Sequence, residues 1–598
     1  MPRAPVSAIP VGGYTGVEPE SLTRPLAGGR DAKRRNSVNA DEYTLDKGME
    51  FQSRPCRDIF FAALYLVALA ATVGVSSSAL SQIRTGEGLS FAPIPKPAEC
   101  PDTTTSRSLT GSLQAALAAG GTVESPEAGI QNFDDFLVEF WKVQWVLPVV
   151  VLGSCAVGVV WMQLLRIWAK PIVYLSLALF PLGSVAWGIA IVAVPESFFD
   201  NNLSASDRQL IMYICFAVAA FYCLLFFCCL RERIKLTIIT LKTAGEALSA
   251  NPSVFATCFC VFLVWAALTA IFVFGMVVAL FNAEWEEIRD PDSDEVIECV
   301  YRLTSLGEAA LGACLLNCMW TSLLFTELRG AVVAGSVGHW YYHHGDRSPP
   351  LRWPSLTSAK WAFTTQFGSL CFGSLILFIL QLIQMLIRML REQANRGDNS
   401  GLKLLCCMFE CLFACFYEFV RIFTGFATIV VALSGQSFCD SAKTVYNVCK
   451  RNGFELVVVD QLASSVMGMG AFVFSLGFAS LPWIALVEIN PPENPDGTFF
   501  AYTGGMCGVA FVLAIVVLGS FTGVVINAAS ALFIAFVADR DAASQQGGSY
   551  GGAGSDLSQA PHVQIVHGAF LETHKPVFSL QEDNSRTEKD AVPPMWRS

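Results

Sequence analysis

The segment "VFATCFCVFLVWAALTAIFVFGMVVALF", from Val254 to Phe281, contains no charged residue. A helix rises about 1.5 Å per residue, so this run is long enough to cross a bilayer hydrocarbon core about 30 Å thick. Inside that core the backbone polar groups need partners within the segment, and a helix supplies them. The run therefore predicts a membrane-spanning helix.

Nine further apolar runs repeat this pattern, and the composition agrees with it. Of the 598 residues, 53% are hydrophobic and only 15% are charged, whereas soluble proteins carry about 25% charged residues. The sequence thus predicts an all-α fold, a polytopic membrane bundle of about ten transmembrane helices. The expected spans are Ile59–Leu80, Val143–Leu165, Ile172–Val194, Ile211–Leu230, Val254–Phe281, Ser305–Glu327, Phe363–Leu390, Leu404–Leu433, Leu456–Leu486 and Gly505–Val537.

Both ends of the chain differ in composition from the apolar middle. Residues 1–55 and 541–598 mix Pro, Gly, Ser and charge with little apolar periodicity. Such segments bury too little apolar surface to fold alone. We expect disordered tails on either side of a transmembrane domain at residues 56–540.

Lys and Arg in the short flanks predict the orientation. They precede the first span and follow spans two, four and six, so we expect both termini in the cytosol. The loop from Ala283 to Glu298, on the opposite side, holds eight acids and one Arg. The stretch from Arg388 to Lys403 is basic although it is predicted outside. Either its helices project far from the bilayer, or the number of spans is wrong there.

Two polar connectors have helical periodicity. The segment from Arg231 to Pro252 separates apolar residues from its lysines, and we expect a helix in the inner interface. Between Ser437 and Asn452, apolar residues also recur at helical spacing. This second segment predicts a cytosolic amphipathic helix, with a plain linker as the alternative.

Six stretches, taken in order, carry a resemblance to a known family. They are "RERIKLTIITLKTAGEAL" (231–248), "VVAGSVGHWYY" (332–342), "GSLCFGSLILFILQLIQMLIRML" (368–390), "ATIVVALSGQSFCDSAK" (427–443), "RNGFELVVVD" (451–460) and "LFIAFVAD" (532–539). Together they resemble the choline transporter-like family, solute carrier family 44. The resemblance implies cytosolic termini and transport of choline or a related organic cation across the plasma membrane or an organelle membrane. Gln366 and Ser530 depart from the family, which often has His and Asp there.

Choline is a permanent cation that carries three methyl groups. Aromatic faces attract such a cation by about 0.5–2 kcal/mol each, and a carboxylate can offset its charge. Aromatic residues near acids at membrane level are therefore the candidates for binding it. Glu139, Trp141 and Trp145 form the strongest local grouping, at the outer mouth of span two. The alternative is an interfacial aromatic belt beside a solvated acid.

The interior of the spans holds further substrate-binding candidates. Glu308 and Trp320 lie in span six, and Glu410 and Tyr417 lie in span eight. Acids inside spans are expensive and normally face a cavity or a partner. Neither Glu308 nor Glu410 has a close basic neighbour in sequence, whereas Glu418 is expected to pair with Arg421. Asp460, which begins span nine, is expected to cap that helix or to gate the inner side.

Other residues in the sequence are candidates for a disulfide and for glycosylation, and none of the patterns predicts an enzyme. Cys100 and Cys299 fall in outer loops and are a candidate disulfide, and Asn202 is a candidate glycosylation site. Cys407, Cys411 and Cys415 repeat every four residues on one helical face, which would allow a metal site, but thiols in lipid-facing or packed helices usually act as small apolar residues. We expect no metal, no cofactor, no enzymatic activity and no nucleic-acid partner; the expected partners are the cation and membrane lipids. Alternatives to choline transport are another substrate, such as ethanolamine, or a non-transporting scaffold or receptor.

Overall fold

The computed structural model describes residues 54–83, 145–193, 205–289, 296–342, 353–396, 400–452, 455–489 and 497–545. The predicted tails therefore lie almost wholly outside the described residues. The last helix continues to Gln545, slightly past the predicted boundary of the transmembrane domain.

Twelve helices and one strand hairpin make up the described ranges. The first half of the chain contains α1 (Ile59–Ile83), α2 (Val146–Ala193), α3 (Ala205–Cys223), α4 (Arg231–Ala250), α5 (Ser253–Leu280), β1 (Ala283–Arg289) and β2 (Val296–Leu303). The second half contains α6 (Ser305–Tyr342), α7 (Pro354–Phe363), α8 (Phe367–Arg396), α9 (Ser400–Ser434), α10 (Phe438–Asn452), α11 (Glu455–Trp483) and α12 (Gly497–Gln545). Single π-helical turns follow α3 and α11.

Within these ranges, nine helices are long and apolar enough to cross a membrane. The protein is a multi-pass helical membrane protein, as its composition predicts. Predicted spans two and three share α2, a 48-residue helix with non-helical torsions at Trp168 (φ −122°, ψ 31°). Pro171 explains the break, because proline lacks an N–H and its ring clashes with the carbonyl four residues earlier. The expected loop between these spans is thus a kink.

The acidic loop forms a small antiparallel hairpin. β1 pairs with β2, from Ala283 opposite Leu303 to Arg289 opposite Val296, and the register shifts between Ile288 and Arg289. The strands connect α5 to α6, and they are a minor addition to the predicted all-α bundle. The hairpin lies between two helix ends, so it leaves the packing of the bundle unchanged.

The basic stretch around Arg396 lies at the tip of a long helical hairpin. α8 has 30 residues and α9 has 35 residues, which corresponds to roughly 45 and 52 Å. Both lengths exceed a hydrocarbon core of about 30 Å. They agree with the first alternative raised by the sequence, in which these two helices project beyond the bilayer.

The two amphipathic connectors become α4 and α10, and both pack against the bundle. In α4, Ile234 and Leu241 are buried while Lys235 and Lys242 are exposed. α4 packs on α2, α11 and α12, so its apolar face is covered by protein. Its position at the inner interface of the membrane stays a prediction. We call this side of the bundle the α4/α10 end.

The apolar face of α10 is also buried, which confirms the predicted helix over the linker alternative. Phe438, Val445 and Val448 are buried, whereas Lys443 and Lys450 are exposed. The buried residues recur at three- and four-residue spacing and therefore share one side of the helix. α10 packs mainly on α9 and also contacts α8 and α11.

The residues that precede α1 join several helices at the α4/α10 end. Asp58 Oδ2 accepts hydrogen bonds from Ser369 Oγ of α8 at 2.6 Å and from the Phe438 backbone N–H of α10 at 3.0 Å. Arg54 donates to the carbonyl oxygens of Ala432 and Leu433, at the end of α9, at 2.8 and 3.2 Å. Burial lowers the pKa of the Arg54 guanidinium to about 10, so the side chain is still charged at neutral pH.

The bond from Asp58 to α10 leads to a testable prediction. Asp58 has a positive φ of 52°, a conformation that glycine adopts without strain. Asp58→Gly therefore removes the carboxylate while it tolerates the backbone, and it leaves the Phe438 N–H without its partner. We expect a loss of about 1–3 kcal/mol of stability and faster amide hydrogen exchange in α10. Lys443→Ala, at an exposed position of α10, is the control, and unchanged exchange in Asp58→Gly would contradict the prediction.

Candidate functional site

The predicted site at the mouth of span two is only partly described. Trp145 lies immediately before α2 and is 49% exposed. Glu139 and Trp141 lie outside the described residues. The grouping of these three residues stays a prediction.

Trp320 and Glu308, both in α6, are not brought together. Glu308 is exposed in the first turn, about 18 Å along the helix axis from Trp320. Trp320 is 6% exposed, and its Nε1 donates to Ser374 Oγ at 3.1 Å. Tyr65 packs edge-on against its ring at 5.3 Å, and Phe378 stacks on it at 5.8 Å. These neighbours fill the space around the indole in this structure.

Glu410 has close basic partners, contrary to the expectation from its neighbours in sequence. Arg391 Nη1 donates to Glu410 Oε2 at 2.5 Å, and Arg388 Nε lies 3.6 Å from Oε1. Both arginines belong to α8, which runs antiparallel beside α9. Tyr417 lies two turns further along α9 and is half-buried. Because its charge is already offset, Glu410 is a poor candidate for binding a cation.

The structure shows a buried carboxylate that was not among the site residues predicted from the sequence. Glu327, taken as the last residue of span six, is 6% exposed within α6. Thr428 Oγ1 of α9 donates to its Oε2 at 2.5 Å. No basic side chain in the described ranges lies within ion-pair distance of this carboxylate, although Arg329 and Arg421 act on it electrostatically. Burying an ionised carboxylate away from water without an ion-pair partner is costly, which marks Glu327 as a functional candidate.

One signal in the sequence could have indicated this burial. After Arg329 the chain continues with the small and apolar residues "GAVVAGSVG", at 330–338, all of which are buried. A helix that ended at Glu327 would not be followed by such a run. α6 continues to Tyr342, so Glu327 and Arg329 lie inside the bundle and not in a solvated flank.

Asp460 has a similar environment at the same end of the bundle. Ser530 Oγ of α12 donates to Asp460 Oδ1 at 2.5 Å. Thr240, Phe426 and Phe533 line a space of about 10 Å³ beside this pair, which is about the volume that one water molecule requires. Asp460 is the sixth residue of α11, past the first turn, so the expected role as a helix cap is wrong.

Arg421 connects these two pairs electrostatically. Its charge acts on both Glu327 and Asp460, and its Nε donates to Glu418 Oε2 at 2.7 Å. This last contact is the ion pair that the sequence predicts. We use the term carboxylate cluster for Glu327, Thr428, Arg421, Asp460 and Ser530. Its two acids accept hydrogen bonds from hydroxyl groups and form no ion pair within the described ranges.

A separate cavity of about 470 Å³ lies between α2, α5, α6 and α12. Six aromatic residues line it: Phe255, Phe259, Phe262, Trp265, Phe325 and Phe521. The charged residue in the lining is Arg329, and none of the lining residues described is acidic. At roughly 10 Å and an effective dielectric constant near 20, Arg329 would repel a cation by about 2 kcal/mol. That repulsion offsets about one favourable aromatic contact.

The predicted modification sites are largely outside the described ranges. Cys100 and Asn202 lie outside them, and Cys299 belongs to β2, where its side chain is not described. Among the residues described, no group of three or more His, Cys, Asp or Glu side chains could hold a metal ion. The proposed disulfide and glycosylation site stay predictions.

Comparisons with known proteins identify the family. A family model described as "Plasma-membrane choline transporter" matches residues 214–541. A CTL-like protein of Dictyostelium discoideum is 22% identical over 509 residues, which cover 82% of this chain and 86% of that protein. Protein PNS1 of Yarrowia lipolytica is 27% identical over 62% of each chain. Choline transporter-like protein 4 of Bos taurus is 25% identical over 66% of this chain and 62% of that protein.

The chain thus spans less than two thirds of the fungal and bovine relatives and most of the Dictyostelium relative. The family model covers every helix from within α3 to most of α12, including the whole carboxylate cluster. Because this model matches more than half of the residues, the chain belongs to the choline transporter-like family.

Proposed function

We propose that this protein is a facilitator or exchanger that moves choline or a related organic cation across the plasma membrane or an organelle membrane. One observation carries the proposal beyond family membership. Glu327 and Asp460 are acids inside an apolar bundle, and each has a hydroxyl rather than an ion-pair partner. Ionisable residues in spans commonly mark the pathways of ions and substrates.

The chemistry of the carboxylate cluster suits a quaternary ammonium ion. Such an ion has no N–H to donate, so it is held by negative charge and by aromatic faces. The carboxylates of Glu327 and Asp460 supply the charge, and Phe426 and Phe533 lie beside Asp460. Thr428 and Ser530 could release their present acceptors and meet the hydroxyl group of choline.

The space beside Asp460 holds about one water molecule, so the described state is closed to choline at this point. We infer that transport requires α6 and α9 to move relative to α11 and α12, as in carriers that close around a central site. α10 and the residues before α1 lie at the same end, where they connect α8 and α9. They are placed to take part in opening that end.

A driving force need not come from ATP. An inside-negative potential favours cation entry by about 2.3 kcal/mol per 100 mV. Uptake driven by the potential therefore suffices for a facilitator, whereas an exchanger would also move a second cation outward.

The test is uptake of labelled choline by the full chain reconstituted in proteoliposomes. We expect uptake above protein-free vesicles, and an increase when a potassium gradient with valinomycin makes the interior negative. Competition by unlabelled choline should be stronger than competition by ethanolamine. Preference for ethanolamine would favour the alternative substrate. Folded protein without flux of either compound would favour a scaffold or receptor and contradict the proposal.

A further inference from the structure

Arg329 is a half-buried charged residue that has no hydrogen bond or ion pair among the described residues. Its Nε is buried and has no hydrogen bond, and within the described ranges the side chain forms no ion pair. The guanidinium packs against Gly523 of α12, where an added Cβ would lie 2.6 Å from Nη2. Glu327 is two residues away on α6, and positions i and i+2 do not share a helix face. A half-buried cation without an ion pair, lined by apolar side chains, is costly, so this geometry points to an anion that binds at Arg329.

The cavity beside Arg329 is built for a hydrocarbon chain. Its lining is mostly aliphatic and aromatic. Phe259 and Leu263, on its edge, are 53% and 50% exposed, so the cavity opens sideways on the surface of the bundle. Phe255 of α5 and Phe521 of α12 stack across the gap between these helices with ring centroids 5.9 Å apart. In a bilayer, such an opening faces acyl chains rather than water.

The position of Arg329 along α6 suits a lipid headgroup. Arg329 lies roughly 36 Å from the start of the helix, further than the thickness of a hydrocarbon core of about 30 Å. It is therefore near the α4/α10 end, which the sequence predicts to be cytosolic. The cytosolic leaflet is the one that carries anionic lipids. The charge of Arg329 and its depth fit an anionic headgroup. The apolar lining and the lateral opening of the cavity fit an acyl chain.

We propose that the cavity between α2, α5, α6 and α12 binds an anionic membrane lipid. One acyl chain occupies the apolar cavity, and the headgroup anion pairs with Arg329. The site is distinct from the carboxylate cluster, which attracts cations. It is also independent of the transported substrate, since it would bind lipid in a protein that transports nothing.

The experiment measures lipid binding to the purified full-length protein in detergent by native mass spectrometry and by thermal shift. The probes are dioleoylphosphatidylserine, dioleoylphosphatidylcholine and inorganic phosphate. We expect phosphatidylserine to bind at least about tenfold more tightly than phosphatidylcholine and to raise the unfolding temperature. Inorganic phosphate at the same concentration should have no effect, because it cannot fill the apolar part of the cavity.

Two variants test the two halves of the site. Arg329→Gln should abolish the preference for phosphatidylserine, and it should fold because it removes a charge that has no ion-pair partner. Gly519→Leu places a side chain into the cavity, where nothing lies within 4 Å of an added Cβ, and should weaken binding of both lipids. Lys235→Gln, at an exposed position of α4, and Gly504→Leu, at an open position of α12 outside the cavity, are the matched controls.

Three outcomes would overturn the proposal. The first is equal affinity of the wild-type protein for the two lipids, which would mean that Arg329 does not distinguish an anionic headgroup from a zwitterionic one. The second is a lipid preference that survives in Arg329→Gln. The third is stabilisation by inorganic phosphate as large as that by phosphatidylserine, which would indicate a site for a soluble anion.

Discussion

Glu327→Gln is expected to lower the rate of choline uptake at least tenfold while the amount of folded protein is unchanged. Glutamine has nearly the same shape and can still accept the hydrogen bond from Thr428, so the packing of α6 on α9 should survive. The variant loses the negative charge that offsets the cation. A hydrogen bond or contact to a charged group contributes about 1.5–3 kcal/mol, and each 1.4 kcal/mol corresponds to about a tenfold change. Asp460→Asn should have a loss of the same order.

The measurement is the initial rate of uptake at saturating and at low choline, normalised to reconstituted protein. Glu392→Gln is the matched control, because it removes an exposed acid of α8 that lies outside the carboxylate cluster. Thr428→Val and Ser530→Ala keep both carboxylates and should reduce uptake less than the carboxamide variants. Wild-type rates in both Glu327→Gln and Asp460→Asn would exclude the carboxylate cluster from the transport pathway, even if choline uptake itself were established.

Trp320→Ala is expected to destabilise the protein by about 3–5 kcal/mol, the cost of removing a large buried aromatic side chain. The indole is enclosed by Tyr65 and Phe378, and its Nε1 donates to Ser374. Truncation leaves a void among α1, α6 and α8 and removes the N–H that donates to Ser374. Trp320→Phe keeps most of the volume and should cost less. Thermal unfolding in detergent and the yield of monodisperse protein report both changes.

This prediction separates packing from substrate binding at a residue that the sequence proposed for choline. Trp145→Ala serves as the comparison, since that indole is 49% exposed and its truncation should change stability little. If Trp320→Ala unfolded at the wild-type temperature but required much more choline for half-maximal uptake, Trp320 would be part of a binding cage and the packing interpretation would be wrong.

Local patterns predicted the features whose causes are themselves local. The spans follow from apolar runs, and α10 follows from the three- and four-residue spacing of its buried face. The pair of Glu418 and Arg421 was also predictable, because residues three apart on a helix are neighbours. The kink at Trp168 was missed although Pro171 was visible, because a proline in a polar connection is compatible with a loop as well as with a bent helix.

The environments of Glu410 and Glu327 could not be predicted from local sequence patterns. The sequence around Glu410 contains no basic neighbour, yet Arg388 and Arg391 reach it because α8 and α9 form one antiparallel hairpin. Glu327 resembled the polar end of a span, yet α6 continues and buries it against α9. In both cases the partner of the acid is on a neighbouring helix, and hydropathy does not indicate which helices are neighbours.

The sequence by itself determined that this protein is a bundle of membrane-spanning helices, because hydropathy and helical hydrogen bonding act over a few consecutive residues. Only the tertiary structure decided which charges are offset and which are not. Thr428 and Glu327 are 101 residues apart, and Ser530 and Asp460 are 70 residues apart, so their meeting depends on how each helix is rotated and crossed. Arg329 lacks an ion pair for the same reason: the packing of α6 and α12 places its guanidinium beside an apolar cavity, and no acid from the described helices lies within ion-pair distance of it.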